Sequence, residues 1–213
     1  MATILNGILG GFSGKVGTVV GACWNGIDYM RALATNVTNP KTPAQLEQRA
    51  KFKVVISFLR SMISFLRTGF RSQAIKMSAF NAAMAYNLKN AITGAYPNYT
   101  LDYTKVLVSN GALAGVVNGA AASTIAGKVD FTWDDNSLGG DIMADDKVLL
   151  LVYNPLRNQS VSLKGGKTRA EGADSLTVPD LFSGETLECY IGFIGAGGAE
   201  VSNSQWVGSV EVA

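Results

Sequence analysis

Apolar and polar positions follow two different rhythms along this chain. Between about residues 43 and 92, apolar side chains recur every three or four positions, the spacing of helices. One helix is predicted over 43–67, with Thr42 as its cap, Pro43 in its first position and Gln45 in its third. Its apolar residues, Phe52 through Leu66, cover well over half its circumference. A surface helix needs an apolar arc of only about 100°, so packing on two sides is expected. Val54 to Leu66 is the most apolar stretch of the chain, and Ser57, Arg60, Ser61 and Ser64 interrupt it. A second helix is predicted over 70–92, seamed by Phe70, Ala74, Met77, Asn81, Met84, Leu88 and Ala91 and stopped by Gly94 and Pro97.

The flanks have a different period. Glycines crowd positions 7–21, and Asn25-Gly26 separates two strand-like runs, 15–23 and 27–34. An Asn-Gly pair suits a type I′ turn, so a β-hairpin is predicted there. Beyond about 105, short β-rich segments alternate with Gly, Asn, Asp and Pro turns: 106–109, 114–121, 128–133, 147–153, 160–163, 175–178, 185–194 and 201–212. That spacing predicts a β-sandwich. Tyr96, Tyr99 and Tyr103 lie in the joining stretch and are expected to dock onto a domain. The fold class is therefore α+β: an N-terminal β-hairpin and two long helices over 1–100, then a sandwich over 101–213.

Charge sharpens that division. The net charge is +2, but residues 1–97 carry eleven Lys and Arg against two acids, and residues 98–213 carry seven against fourteen. Halves of +9 and −7 suggest a basic surface that meets nucleic acid, or the acidic part of a neighbouring copy. The chain has no histidine, which excludes Ser-His-Asp and Cys-His catalysis and His-ligated zinc. Cys23 and Cys189 form no metal or disulfide framework and are expected as reduced thiols. The first residues have no basic segment followed by an apolar one, and no run approaches about 18 apolar residues. The expectation is a protein of the cytoplasm or of a virion, not secreted by a signal peptide and not in a membrane.

The second half resembles a fibronectin type III or related immunoglobulin-like sandwich. The resemblance rests on Trp133, on Tyr153 closing the run VLLLVY, and on segment 175–194. Leu181, Ser183, Gly184 and Leu187 stand where that family has its tyrosine-corner turn, without its Pro and corner Tyr. Such domains are scaffolds and imply no activity. The whole chain also resembles an uncharacterised family found mainly in Bacteroidetes. The matching segments are NGILGGFSGKVGTVVG (6–21), NPKTPAQLEQRAKF (39–52), MSAFNAAMAYNLKNAITGAYPNY (77–99) and EVSNS (200–204). That family brings no activity with it. The NPKTPAQ segment is similar to one in small phage and prophage virion proteins, and immunoglobulin-like domains recur in phage structural proteins. The resemblance implies a virion setting.

Candidate chemistry is sparse. Gly10-Gly11-Phe12-Ser13-Gly14-Lys15 lacks the first Gly and the Ser or Thr of a phosphate loop, and leads into a strand. Asp134, Asn136 and Gly139 fit part of a calcium loop, but Leu138 and Asp145 do not fit theirs. No acid–base pair and no activated nucleophile is indicated. No cofactor, metal or small-molecule substrate is expected, and no enzymatic activity. Arg49, Lys53, Arg60 and Arg67 recur at spacings of four, seven and seven, within roughly 40° on a helix. Three readings of this basic stripe stay open: phosphate contact, a solvated helix face, or contact with an acidic surface of a neighbouring copy or of the chain's own second half. Two functions remain. One is a structural, self-associating protein, a homo-oligomer or virion component. The other is a nucleic-acid-binding accessory protein that uses the stripe.

Overall fold

The computed structural model describes residues 3–4, 11–24, 26–36, 39–137 and 143–213. The chain forms two compact units, Met1–Gln45 and Leu46–Ala213.

The first unit holds a four-stranded antiparallel meander: β1 (Thr3–Ile4), β2 (Phe12–Val16), β3 (Val19–Trp24) and β4 (Ile27–Ala32). The expected hairpin is its β3–β4 pair, in which Trp24 pairs with Ile27 across a two-residue connection. Gly26 has φ +76°, as such a turn requires. Asn25, Gly7 and Gly10 lie outside the described residues. Gly21 is open to close approach: a Cβ there would run into the backbone and ring of Phe12.

The second unit is mixed α/β. Its strands build the expected sandwich from two antiparallel sheets. One has the order β11 (Ala173–Thr177), β8 (Lys128–Asp134), β7 (Val117–Ala122). The other has the order β10 (Gln159–Thr168), β9 (Lys147–Asn154), β12 (Thr186–Ile194), β13 (Gln205–Glu211). Val129, Phe131, Trp133, Leu150, Leu187 and Phe193 belong to the core between them. Of the expected strands, 106–109 is not one. Its backbone is satisfied instead by side chains, with Asn87 Oδ1 accepting from Leu107 N–H and Ser204 Oγ accepting from Val108 and Ser109 N–H.

The helices depart from expectation at three points. The 43–67 helix is two: α1 (Pro43–Arg60) and α2 (Ile63–Gly69). The break follows from local competition for carbonyls. Ser61 and Met62 N–H bond three residues back, to Phe58 and Leu59, and the Ser61 hydroxyl also donates to the Phe58 carbonyl at 2.8 Å. The 70–92 helix is shorter, α3 (Ala79–Asn90), because Ser78 caps it by accepting from Asn81 N–H at 3.1 Å. Past α3, Gly94 and Pro97 do not simply stop the chain. They lie in a hairpin of β5 (Ile92–Ala95) and β6 (Asn98–Leu101) whose connection contains a cis Tyr96–Pro97 bond.

The wide apolar arc of the first helical stretch is covered within the second unit. Val55, Phe58, Leu59, Met62, Phe65 and Leu66 share a core with Leu149, Leu151, Tyr153 and Tyr190 of the four-stranded sheet. That sheet is therefore buried on both faces, one against the helices and one against the three-stranded sheet. This explains VLLLVY in β9, an unbroken apolar run in which every residue is buried. The serines that interrupt this apolar stretch have partners on β10 or at the residue just before it. Asn158 Nδ2 donates to Ser57 Oγ at 2.7 Å, Ser160 Oγ to the Ser61 carbonyl at 2.9 Å, and Lys164 Nζ to Ser64 Oγ at 3.0 Å. The expected boundary near 97–105 thus falls inside one unit.

Charge is redistributed by that geometry. Residues 1–45 carry three cations and one acid, so the second unit carries fifteen of each. Its helical stretch, residues 46–97, is +7, and its strand region, 98–213, is −7. The unit is a neutral body with a basic layer laid on an acidic one.

Candidate functional site

Arg49, Lys53 and Arg60 are exposed on α1, and Arg67 is exposed on α2. The helix break therefore divides the expected stripe. Arg49 and Lys53 border a shallow apolar hollow of about 340 Å³ with Phe52 and Ile56. Beside it, Glu47 accepts from Lys51 Nζ at 2.7 Å and from the Tyr99 hydroxyl at 2.8 Å, and these partners, Lys51 first, hold its carboxyl below its ordinary range.

Arg67 belongs to a different place. It lines a cleft of about 560 Å³ with Arg71, Lys147 and Lys164. The cleft lies where α2 ends, β9 begins and β10 bulges, and the Gly195–Gly198 turn after β12 borders it. Four cations converge there from three segments far apart in sequence. None of them is in an ion pair, and no carboxylate lines the cleft among the described residues. Arg71 follows Arg67 by four residues, a helical spacing that extends the stripe, whereas Lys147 and Lys164 had no signal in the sequence beyond their charge, because only folding brings them beside Arg67.

A second hollow of about 840 Å³ shares Gly195 and Ala196 with this cleft and is lined by Asp145, Asp146 and Glu200. The suggested calcium loop lies partly here. Leu138, Gly139 and Asp141 fall outside the described residues. Asp146 is committed elsewhere, accepting from Arg169 Nη2 at 3.0 Å and Nε at 3.3 Å. Asn136 also serves Arg169, accepting from Nη1 at 2.6 Å. Arg169 is fully buried, donates to the Ala114 carbonyl at 3.1 Å and lies 3.8 Å over the Phe193 ring. This network fastens loops to the sandwich. No group of three or more Cys, Asp and Glu suited to a metal occurs among the described residues.

The segment EVSNS closes the same end of the sheet. Ser202 Oγ accepts from Phe193 N–H at 2.8 Å, and Asn203 Oδ1 from Gly111 N–H at 3.1 Å. Cys189 is buried and its thiol is pushed up to about 12 by burial, which makes it inert, while Cys23 is exposed.

The first unit offers a different kind of surface. Directly paired residues share a face of a sheet, so Trp24, Ile27 and Tyr29 lie on one face with Val20 and Ala22. Ile4, Phe12, Val16, Val19 and Met30 lie on the other. Exposure reaches 54% at Trp24, 57% at Ile4 and 71% at Met30. No apolar side chain of the first unit is buried among the described residues. The sheet is apolar on both sides and has no layer of its own.

No helix among the described residues is long and apolar enough to cross a membrane. None of the curated proteins matches the chain. Among solved structures it is similar to the fn3 domain of human collagen alpha-1(XX) chain, at 22% identity and a TM-score of 0.33, over 48% of this chain and 87% of that one. Residues 11–208 match a family of unknown function, DUF6266, and the chain belongs to that family.

Proposed function

We propose that this protein is a non-enzymatic structural protein that assembles with copies of itself. One observation carries the reading: the four-stranded sheet of the first unit exposes large apolar side chains on both faces. Apolar surface of this kind marks an interaction site. A second copy is the occupant that charge favours. The second unit presents a basic helical layer and an acidic strand layer, so copies brought together by their sheets have complementary surfaces available. Strand β4 adds an open edge suited to pairing. The similarity of the NPKTPAQ segment to one in phage and prophage proteins supports a virion as the setting of this assembly. The absence of histidine supports a role in contact and not in chemistry.

Light scattering on the full chain tests the reading. Oligomers are expected at high concentration in low salt. Trp24→Asp and Met30→Asp, which place a charge on opposite faces of the sheet, should each shift the population toward monomer. A strict monomer under those conditions would sink the proposal.

A further inference from the structure

The cleft between α2 and the end of the four-stranded sheet brings together Arg67, Arg71, Lys147 and Lys164 without a compensating carboxylate among the described residues. From this we infer that it is a binding site for adjacent phosphate groups, as on a polyphosphate or a nucleic-acid strand.

Each part of the geometry contributes. The second unit has as many acids as bases, yet among the described residues none of its ion pairs involves these four cations. Like charges gathered in a cleft repel, and an anion that enters relieves that repulsion. Lys164 is held in place by its bonds to Ser64, so the cluster is partly preorganised. Two arginines supply planar forks that match phosphate oxygens, and two lysines supply point charges. Gly165 and Gly198 line the rim without side chains, which leaves room for an anion to reach the cations. The volume lies within the usual range of ligand pockets, about 300–1,000 Å³, which suits several linked phosphates. The site shifts phosphate contact away from the α1 face carrying Arg49, Lys53 and Arg60. It uses the second unit alone, so it stands whether or not the chain self-assembles.

The test uses the full chain and two probes at about 50 mM salt: inorganic tripolyphosphate by calorimetry, and a labelled single-stranded oligothymidylate by anisotropy. Binding of either supports the site and identifies the source of the phosphates. The double variant Arg71→Ala/Lys147→Ala should weaken that binding at least tenfold. For the oligonucleotide it should also reduce the slope of log affinity against log salt by about 1.4, at about 0.7 per phosphate contact. Lys105→Ala, at an exposed residue paired with Asp102, should leave binding unchanged. Three results would each overturn the inference: neither probe binding, the double variant binding as the parent does, or polyglutamate of matched charge competing as well as the phosphate probe.

Discussion

Asn87 of α3 pairs with Leu107 much as one strand pairs with another. Its Nδ2 donates to the Leu107 carbonyl at 2.9 Å, and its Oδ1 accepts from Leu107 N–H at 3.0 Å. Nδ2 also donates to the Ala83 carbonyl at 3.0 Å, and the residue is fully buried. One amide thus fastens the helical layer to the segment that enters the sandwich. Asn87→Ala leaves the partly buried N–H and carbonyl of Leu107 without these partners, at up to about 1–3 kcal/mol for each group. A loss near 3 kcal/mol is expected in urea unfolding, and a loss below about 1 kcal/mol would contradict this role.

The helices and the sandwich should unfold together. A fragment of residues 46–213 is expected to show one transition by tryptophan fluorescence and far-UV circular dichroism. A fragment of 101–213 uncovers the Leu149, Leu151, Tyr153 and Tyr190 face and should aggregate or bind ANS. A soluble, cooperatively folding 101–213 fragment would show that the helical layer is dispensable.

Arg169 and Asp146 form a buried ion pair. Removing one partner strands the other charge, so Arg169→Met should cost about 3–5 kcal/mol. Arg169→Met combined with Asp146→Leu should restore part of that loss, because no charge is then left behind. A double-mutant cycle measures the coupling. Additive losses would mean that the pair does not interact.

Alkaline pH should destabilise the fold. Burial raises Cys189 to about 12 from an ordinary 9.0 and Tyr153 to about 12 from an ordinary 10.0, and raises Tyr190 as well. Each stays protonated in the folded chain while the unfolded chain ionises. Their contribution is full below about pH 9 and is lost as pH rises toward about 12. Denaturation midpoints measured from pH 8 to 11 should hold to about pH 9 and fall above it, and a flat profile above pH 9 would contradict this. In the same vein, a thiol reagent at pH 8 should titrate Cys23 in the folded protein and reach Cys189 only after unfolding.

The strands were legible because alternation and turn residues are local signals: 128–133, 147–153 and 185–194 fall on β8, β9 and β12. The helix ends were less so. The break after Arg60 depends on a serine hydroxyl competing for the Phe58 carbonyl, and a serine between apolar residues reads as helix surface. The layering was hidden for a different reason. A wide apolar arc says that two faces are covered, not what covers them, and here the cover is strands about a hundred residues away. The cationic cleft was hidden in the same way. Arg67 was visible through its spacing from Arg60, whereas Lys147 and Lys164 approach it only once β9 and β10 have docked.

The bonds from Asn158 and from β10 to the helical layer join residues 101, 99 and 100 positions apart in sequence. Such separations mean long loops to close before any contact repays their entropy. Helices α1 and α3 can form early from local contacts, but their apolar faces stay open until β9 and β10 arrive. Folding of this unit is therefore slow and late to commit. The interval in which its helices wait uncovered is when the chain is most exposed to aggregation.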